Sequence, residues 1–246
     1  MAMEKSRVLV VGGTGFVGRR VVAASLAAGH PTYVLLRPEI GLDIDKLQML
    51  LAFKARGARL LEASLDDHDG LVAAVRQADV VVSAMSGVHF RSHNLMLQLK
   101  LVEAIKDAGN VKRFLPSEFG MDPSRMGDAL EPGRVSFDEK MVIRRAIEDA
   151  NIPHTYVSAN CFAAYFCPNL CQMKTLLPPK ERVGVYGDGN VKDLDFASQV
   201  GIGHYYHIFY EGCLANFEIG DNGAEATQLY PEVQYTRMDE YLKRYI

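Results

Sequence analysis

The first 115 or so residues alternate short apolar runs with helix-like segments, and few architectures accept that alternation. "RVLVVG" (7–12), "TYVLLR" (32–37), "ARLLEAS" (58–64), "ADVVVSAMS" (78–86) and "VKRFLPSEFG" (111–120) read as strands. Between them, "FVGRRVVAASLAAGH" (16–30), "IDKLQMLLAFKARG" (44–57), "DDHDGLVAAVRQ" (66–77) and "HNLMLQLKLVEAIKDAG" (93–109) read as helices. Strands joined by helix-length crossovers run parallel, and their near-continuous apolar character requires cover on both faces. The pattern predicts an α/β fold, a doubly wound parallel sheet. A further helix is expected over "SFDEKMVIRRAIEDAN" (136–151) and a further strand over "HTYVSAN" (154–160). Beyond Asn160 the chain turns irregular, with "TLLPPKERVGVYGDGNVK" rich in proline and glycine and "MDEYLKRYI" a short helical tail.

The first strand and helix are joined by Gly12-x-x-Gly15-x-x-Gly18. Gly12 permits a tight turn, Gly15 lets the backbone approach a pyrophosphate, and Gly18 lets the helix pack against the sheet. The free N–H groups and partial positive charge of the helix start then face the phosphates. In this strand–turn–helix context the spacing predicts a Rossmann-type dinucleotide site formed by Gly12, Thr14, Gly15, Phe16, Val17 and Gly18. The second strand ends on Arg37, 19 residues after Gly18. An acid there would accept from a ribose 2′-hydroxyl, whereas an arginine offers a planar fork to a 2′-phosphate. NADP(H) is therefore expected over NAD(H), with Lys46 as a second cation. Residues 1–160 form the expected NADP(H)-binding domain and 161–246 a smaller substrate-binding part.

Composition excludes several other functions. The net charge is −3 over 246 residues, so no basic surplus suggests nucleic acid. The apolar stretches are too short to cross a bilayer, and "MAMEKSR" runs directly into a strand with no signal-peptide core, which favours a cytoplasmic protein. Cys161, Cys167, Cys171 and Cys213 form no C-x-x-C pair, and their spacing to His154, His204 and His207 does not advertise a metal site; reduced, mostly buried thiols are expected.

Short-chain dehydrogenases with this architecture usually carry Tyr-x-x-x-Lys, the tyrosine passing a proton and the lysine lowering its pKa. No tyrosine here has a lysine four residues on, and Lys140 is preceded at that distance by Ser136. Ordinary carbonyl–alcohol interconversion is thereby disfavoured. The strings "VVGGTGFVG", "YVLLRPEIG", "MSGVHFRSHN", "KRFLPSEFGMDP", "EPGRVSFDEK" and "YGDGNVK" resemble, in order and over essentially the whole chain, the plant isoflavone reductase-like family of atypical short-chain dehydrogenases. Within it the likeness is to pinoresinol–lariciresinol reductases.

That resemblance implies NADPH-dependent reductive opening of a furan ring in a furofuran lignan. Deprotonating the para-phenol expels the benzylic ether oxygen and leaves a quinone methide that accepts hydride. The "FDEK" lysine, Lys140, is the implied base, which requires a neutral amine and hence a pKa lowered by burial. A protonated Lys140 stabilising the phenolate is the other reading. The resemblance also places Ala84, Met85 and Ser86 along the cofactor crevice, with Ser117, Glu118, Asn160, Cys161 and Phe162 near the nicotinamide. Met121, Phe162, Tyr165, His204 and His207 are its substrate-pocket candidates, and a homodimer is expected.

One departure from the family stands out. Its members continue past "YGDGNVK" for several tens of residues, whereas here Lys192 is followed at once by "DLDF". The expectation is a disordered stretch dropped from the numbering, since excising buried elements would cost more than a marginally stable domain can spare. The alternatives are a reductase of isoflavones or phenylcoumaran benzylic ethers, or a non-catalytic NADP(H)-sensing regulator.

Overall fold

The computed structural model describes residues 4–38, 43–86, 95–160, 195–214 and 217–243. They fall into two compact units, Met1–Ser158 and Ala159–Ile246. In the first unit β1 (Val8–Val11), β2 (Thr32–Leu36), β3 (Arg59–Glu62), β4 (Val80–Ser83) and β5 (Arg113–Leu115) form one parallel sheet in the order β3-β2-β1-β4-β5. The crossovers carry α1 (Gly18–Ala27), α2 (Ile44–Ala55), α3 (His68–Val75) and α4 (Gln98–Ala108), and α5 (Val135–Asp149) follows β5.

Side chains alternate across a strand, so each strand feeds two cores. Val8, Val10, Val34 and Val82 pack with Val22 of α1 and with Leu50 and Phe53 of α2. Leu9, Val11, Leu35, Val81 and Phe114 pack on the other face with Leu71 and Val75 of α3, Leu101 and Ile105 of α4, and Ile143 and Ile147 of α5. This is the doubly wound arrangement expected from the alternation. Helices α2 and α3 start on acid caps: Asp43 accepts from the Lys46 amide and Asp67 from the Gly70 amide, both at 3.0 Å. At the amino edge of the sheet Asp79 accepts from the backbone N–H of Arg7 at 2.9 Å and from its Nε at 3.1 Å, with Lys112 Nζ at 3.4 Å. The Arg7 guanidinium holds the Asp79 carboxyl well below the usual carboxylate range.

The strand expected over 154–160 is not formed. His154 makes a single parallel bridge to Phe114, with the Phe114 amide donating to Pro153 and the Thr155 amide to Phe114. The neighbouring β5 ends at Leu115, and Pro116 beyond it has no N–H with which to extend a ladder.

The second unit contains α6 (Phe196–Tyr205), a π-helical turn at Tyr206–Tyr210, α7 (Ala226–Leu229) and α8 (Met238–Leu242). Among its described residues whose burial is defined, only Val200, Gly203 and His207 are buried. No helix among the described residues of the chain is long and apolar enough to cross a membrane.

Candidate functional site

The carboxyl ends of β1 and β4 meet where the sheet order changes direction, the crevice that serves ligands in open α/β sheets. Gly12 leaves β1 with φ +81°, a conformation side chains resist, and a Cβ on it would stand 2.6 Å from the Ala84 carbonyl oxygen. A Cβ on Gly18 would stand 2.1 Å from the Gly12 oxygen, and one on Gly13 would meet the Val34 side chain at 2.7 Å. The fold itself thus demands glycine at 12 and 18, and Gly13 is pinched in the same way. Gly15 differs. It is exposed, and a Cβ there would meet the Gly12 oxygen at 3.3 Å and the Ala84 oxygen at 3.7 Å, a fit needing only a small adjustment. Its glycine is better explained by what approaches from outside.

No side chain caps α1: Val17 precedes it in helical conformation with no capping bond, unlike α2 and α3. An uncapped first turn leaves donors and positive potential for an anion. Phe16 is braced from behind. The Arg20 guanidinium lies 4.0 Å from its ring centre and donates to its carbonyl at 2.6 Å. Arg37 lies exposed just past β2 and makes no ion pair among the described residues. Lys46 is already engaged, its Nζ 2.6 Å from Asp43, so a 2′-phosphate would compete with that carboxylate.

From the glycine turn a run of contacts leads to Lys140. Ala84, whose carbonyl abuts Gly12, continues the ladder by donating to Val11 at 2.8 Å. The next carbonyl, of Met85, accepts from Ser117 Oγ at 2.6 Å, and the Ser117 amide donates to Gln98 Oε1 at 2.8 Å. Ser86 lies exposed beside them. The backbone carbonyl of Glu118 then accepts from Lys140 Nζ at 3.1 Å. Lys140 projects from α5 with its amine 5.9 Å from the Phe137 ring centre. Burial pushes its pKa below the usual lysine range; the Glu118 carboxylate pulls it back up and the Arg144 guanidinium pushes it down again. A desolvated amine of this kind can exchange a proton with a bound phenol.

The Glu118 side chain is already engaged. Its carboxylate takes a two-point bond from Arg144, Nε to Oε1 at 2.7 Å and Nη2 to Oε2 at 2.9 Å. Arg144 Nη1 also lies 3.0 Å from Asp122 Oδ1, and its guanidinium sits 4.1 Å from the centre of the Tyr156 ring. Burial opposes ionisation of Asp122, but the Ser124 hydroxyl and Arg144 hold its carboxyl below the usual range. Arg144 was missed in sequence, although it follows Lys140 by four positions in "DEKMVIRR" and so shares its helix face. Gln98 was missed as well: fully buried at the start of α4, it leaves Nε2 without a partner and carries no sequence signal.

Of the pocket candidates, Met121 is buried in the first unit. His204 and His207 belong to the second unit, where His207 Nδ1 bonds Glu211 across one helical turn. Asn160 adopts φ 56° and donates to the Leu214 carbonyl at 3.4 Å within that unit. Cys161, Phe162 and Tyr165 lie outside the described residues. Among the described residues no group of three or more His, Cys, Asp or Glu side chains could hold a metal ion.

The sheet order, the glycine turn at its switch point and the uncapped α1 define the Rossmann-type α/β class. Residues 4–205 match the model of the NmrA-like family, and the chain belongs to that family. It is 58% identical to an isoflavone reductase homolog of Lupinus albus, over 99% of this chain and 100% of that one. It is 54% identical to a bifunctional pinoresinol-lariciresinol reductase of Linum perenne, with the same coverage. A solved structure of AtPrR2 with NADP+ and (+)pinoresinol matches with a TM-score of 0.91 at 51% identity, over 99% of each chain.

The match with the Lupinus protein extends over 312 aligned positions against the 246 residues here, an excess of 66, although it runs nearly end to end in both chains.

Proposed function

We propose that this chain is an NADPH-dependent reductase that opens the benzylic ether ring of furofuran lignans, taking pinoresinol to lariciresinol and on to secoisolariciresinol. The observation that carries the reading is a desolvated Lys140 amine, 3.1 Å from the Glu118 carbonyl and linked by continuous contacts to the glycine turn. Pinoresinol-lariciresinol reductases at 54% identity support the substrate class.

The site residues fit the coenzyme. Gly12, Thr14, Gly15, Phe16, Val17 and Gly18 would cradle the pyrophosphate, Gly15 offering an unobstructed backbone. Arg37 would take the 2′-phosphate, with Lys46 joining it at the expense of Asp43. Ala84, Met85, Ser86 and Ser117 would border the nicotinamide end, and the family resemblance assigns Asn160, Cys161 and Phe162 to the coenzyme as well. The first unit is read as the coenzyme domain. The second is read as the substrate part, with Tyr165, His204 and His207 among its pocket residues.

The chemistry follows from the substrate. Its benzylic carbon is saturated, so the ether must first leave. Lys140 takes the para-phenol proton, the electron pair moves into the ring, the benzylic C–O bond breaks, the departing oxygen takes a proton from solvent water, and Lys140 returns its proton to the phenolate once the ring is aromatic again. NADPH, when bound, supplies the hydride that the benzylic carbon accepts, restoring the aromatic ring. Burial serves Lys140 here by lowering its pKa, which makes its neutral form more accessible than that of a solvated lysine. A cytoplasmic homodimer completes the reading, on the strength of the family resemblance.

The test is direct. Purified protein with NADPH and (+)- or (−)-pinoresinol is expected to lose 340 nm absorbance and yield lariciresinol, resolved by chiral chromatography, with NADH a much poorer donor. Oxidation with an isoflavone or a phenylcoumaran but neither lignan would move the assignment to those substrates. NADPH binding without turnover of any of them would reject it.

A further inference from the structure

We propose that Arg144 is a positioning residue for Lys140: it grips Glu118 at two points and Asp122 at a third, fixing the Glu118 backbone carbonyl on which the Lys140 amine rests. The inference deepens the reading of Lys140 as proton acceptor and rests on it. Three geometric facts carry it. Arg144 is buried, and all three of its guanidinium nitrogens are used, Nε and Nη2 on Glu118 and Nη1 on Asp122. Both acids belong to the segment that follows β5, so one side chain of α5 pins that segment to the helix bearing Lys140. The carbonyl that receives Lys140 Nζ at 3.1 Å belongs to the same residue whose carboxylate Arg144 holds.

A buried ion pair of this kind is a poor source of stability relative to apolar packing, because desolvating two charges consumes most of their attraction. Its retention beside Lys140 is better accounted for by orientation. A planar guanidinium fixes direction as well as distance, which a lysine in its place could not do. The Tyr156 ring backs the guanidinium at 4.1 Å, and the Tyr156 hydroxyl donates to Glu148 at 3.0 Å, so the arginine is constrained from its open side too.

Among the described residues, the charged groups acting on the Lys140 amine are Glu118, from the segment after β5, and Arg144, from its own helix; Asp122 contacts Arg144, Tyr156 stacks on it, and Glu148 bonds the Tyr156 hydroxyl. Their signs make the test directional. Removing the positive charge at 144 leaves Glu118 to favour the ammonium, so the Lys140 titration moves to higher pH. Removing the negative charge at 118 moves it to lower pH. The midpoint reads the charge at 144, whereas kcat in a variant that keeps the charge reads the two-point grip.

The titration is read without turnover, by the pH dependence of Lys140 acetylation with acetic anhydride, quantified by mass spectrometry of the Lys140 peptide. Arg144→Met is expected to shift the midpoint upward. With pinoresinol it should cut kcat about tenfold or more, while KM and NADPH affinity stay within about twofold. Arg144→Lys keeps the charge but loses the two-point grip; its midpoint should stay near that of the unaltered protein while kcat still falls. Should Arg144→Met fail to fold, Arg144→Lys decides the matter. An unmoved midpoint in Arg144→Met, or an unaltered kcat in Arg144→Lys, in protein that still binds NADPH, overturns the proposal. If the unaltered protein consumes no NADPH with lignan, the functional reading falls, while the acetylation midpoints still judge the role of Arg144.

Discussion

Lys140 pays for its position in lost hydration, and that loss makes it useful. An exposed lysine stays charged near neutrality, whereas this one is drawn toward the neutral form by burial and is steadied by a single carbonyl. Replacing it with alanine should lower kcat by about 10²- to 10⁴-fold, the usual worth of a positioned proton acceptor, while fluorescence titration shows NADPH binding unchanged. Turnover close to that of the unaltered protein would remove it from the chemistry. The lysine was legible in sequence through the missing tyrosine four positions before it and through the "FDEK" string. The partner of Glu118 was not. Its carboxylate pairs with a residue 26 positions away, and no local pattern records such a pairing. Arg37 follows β2 directly and is exposed, and its role toward a 2′-phosphate belongs to the proposal. Lys46 was only half legible, since its own helix cap competes for it.

At the scale of the element, the glycine turn divides what the fold needs from what a ligand needs. Gly18→Ala sets a methyl 2.1 Å from the Gly12 oxygen, and the helix start must move to relieve it. A loss of about 3 kcal/mol or more is expected in denaturant unfolding. Gly15→Ala meets only looser contacts, so stability should change by less than about 1 kcal/mol while NADPH affinity falls about tenfold or more. Equal effects of the two changes on stability would reject the division. Strand and helix order was readable from hydrophobic period alone, because the alternating valines and leucines of β1, β2 and β4 must feed two cores. Ends were less readable. The run 78–86 holds only Val80–Ser83 as strand, although the Ala84 amide still donates to Val11. The strand read at 154–160 failed for a reason outside its own residues, the shortness of β5 and the proline that ends it.

For the whole molecule, the two units are unequally equipped. The first buries two continuous apolar clusters against its sheet, whereas the described part of the second buries little beyond Val200 and His207. The match with the Lupinus protein carries an excess of 66 aligned positions over this chain. Heating should therefore produce two transitions in calorimetry. The earlier and smaller one belongs to the second unit, and the later one shifts upward with NADPH. A single cooperative transition would show that the second unit draws its stability from the first. The charges of the sheet are sorted by edge as well. Lys140 and the glycine turn occupy the carboxyl side, while Arg7, Asp79 and Lys112 knit the beginnings of β1, β4 and β5 at the other rim. Heat tolerance can thus be bred into or out of this protein at one rim without retuning the catalyst at the other, which makes that trio a convenient handle for engineering.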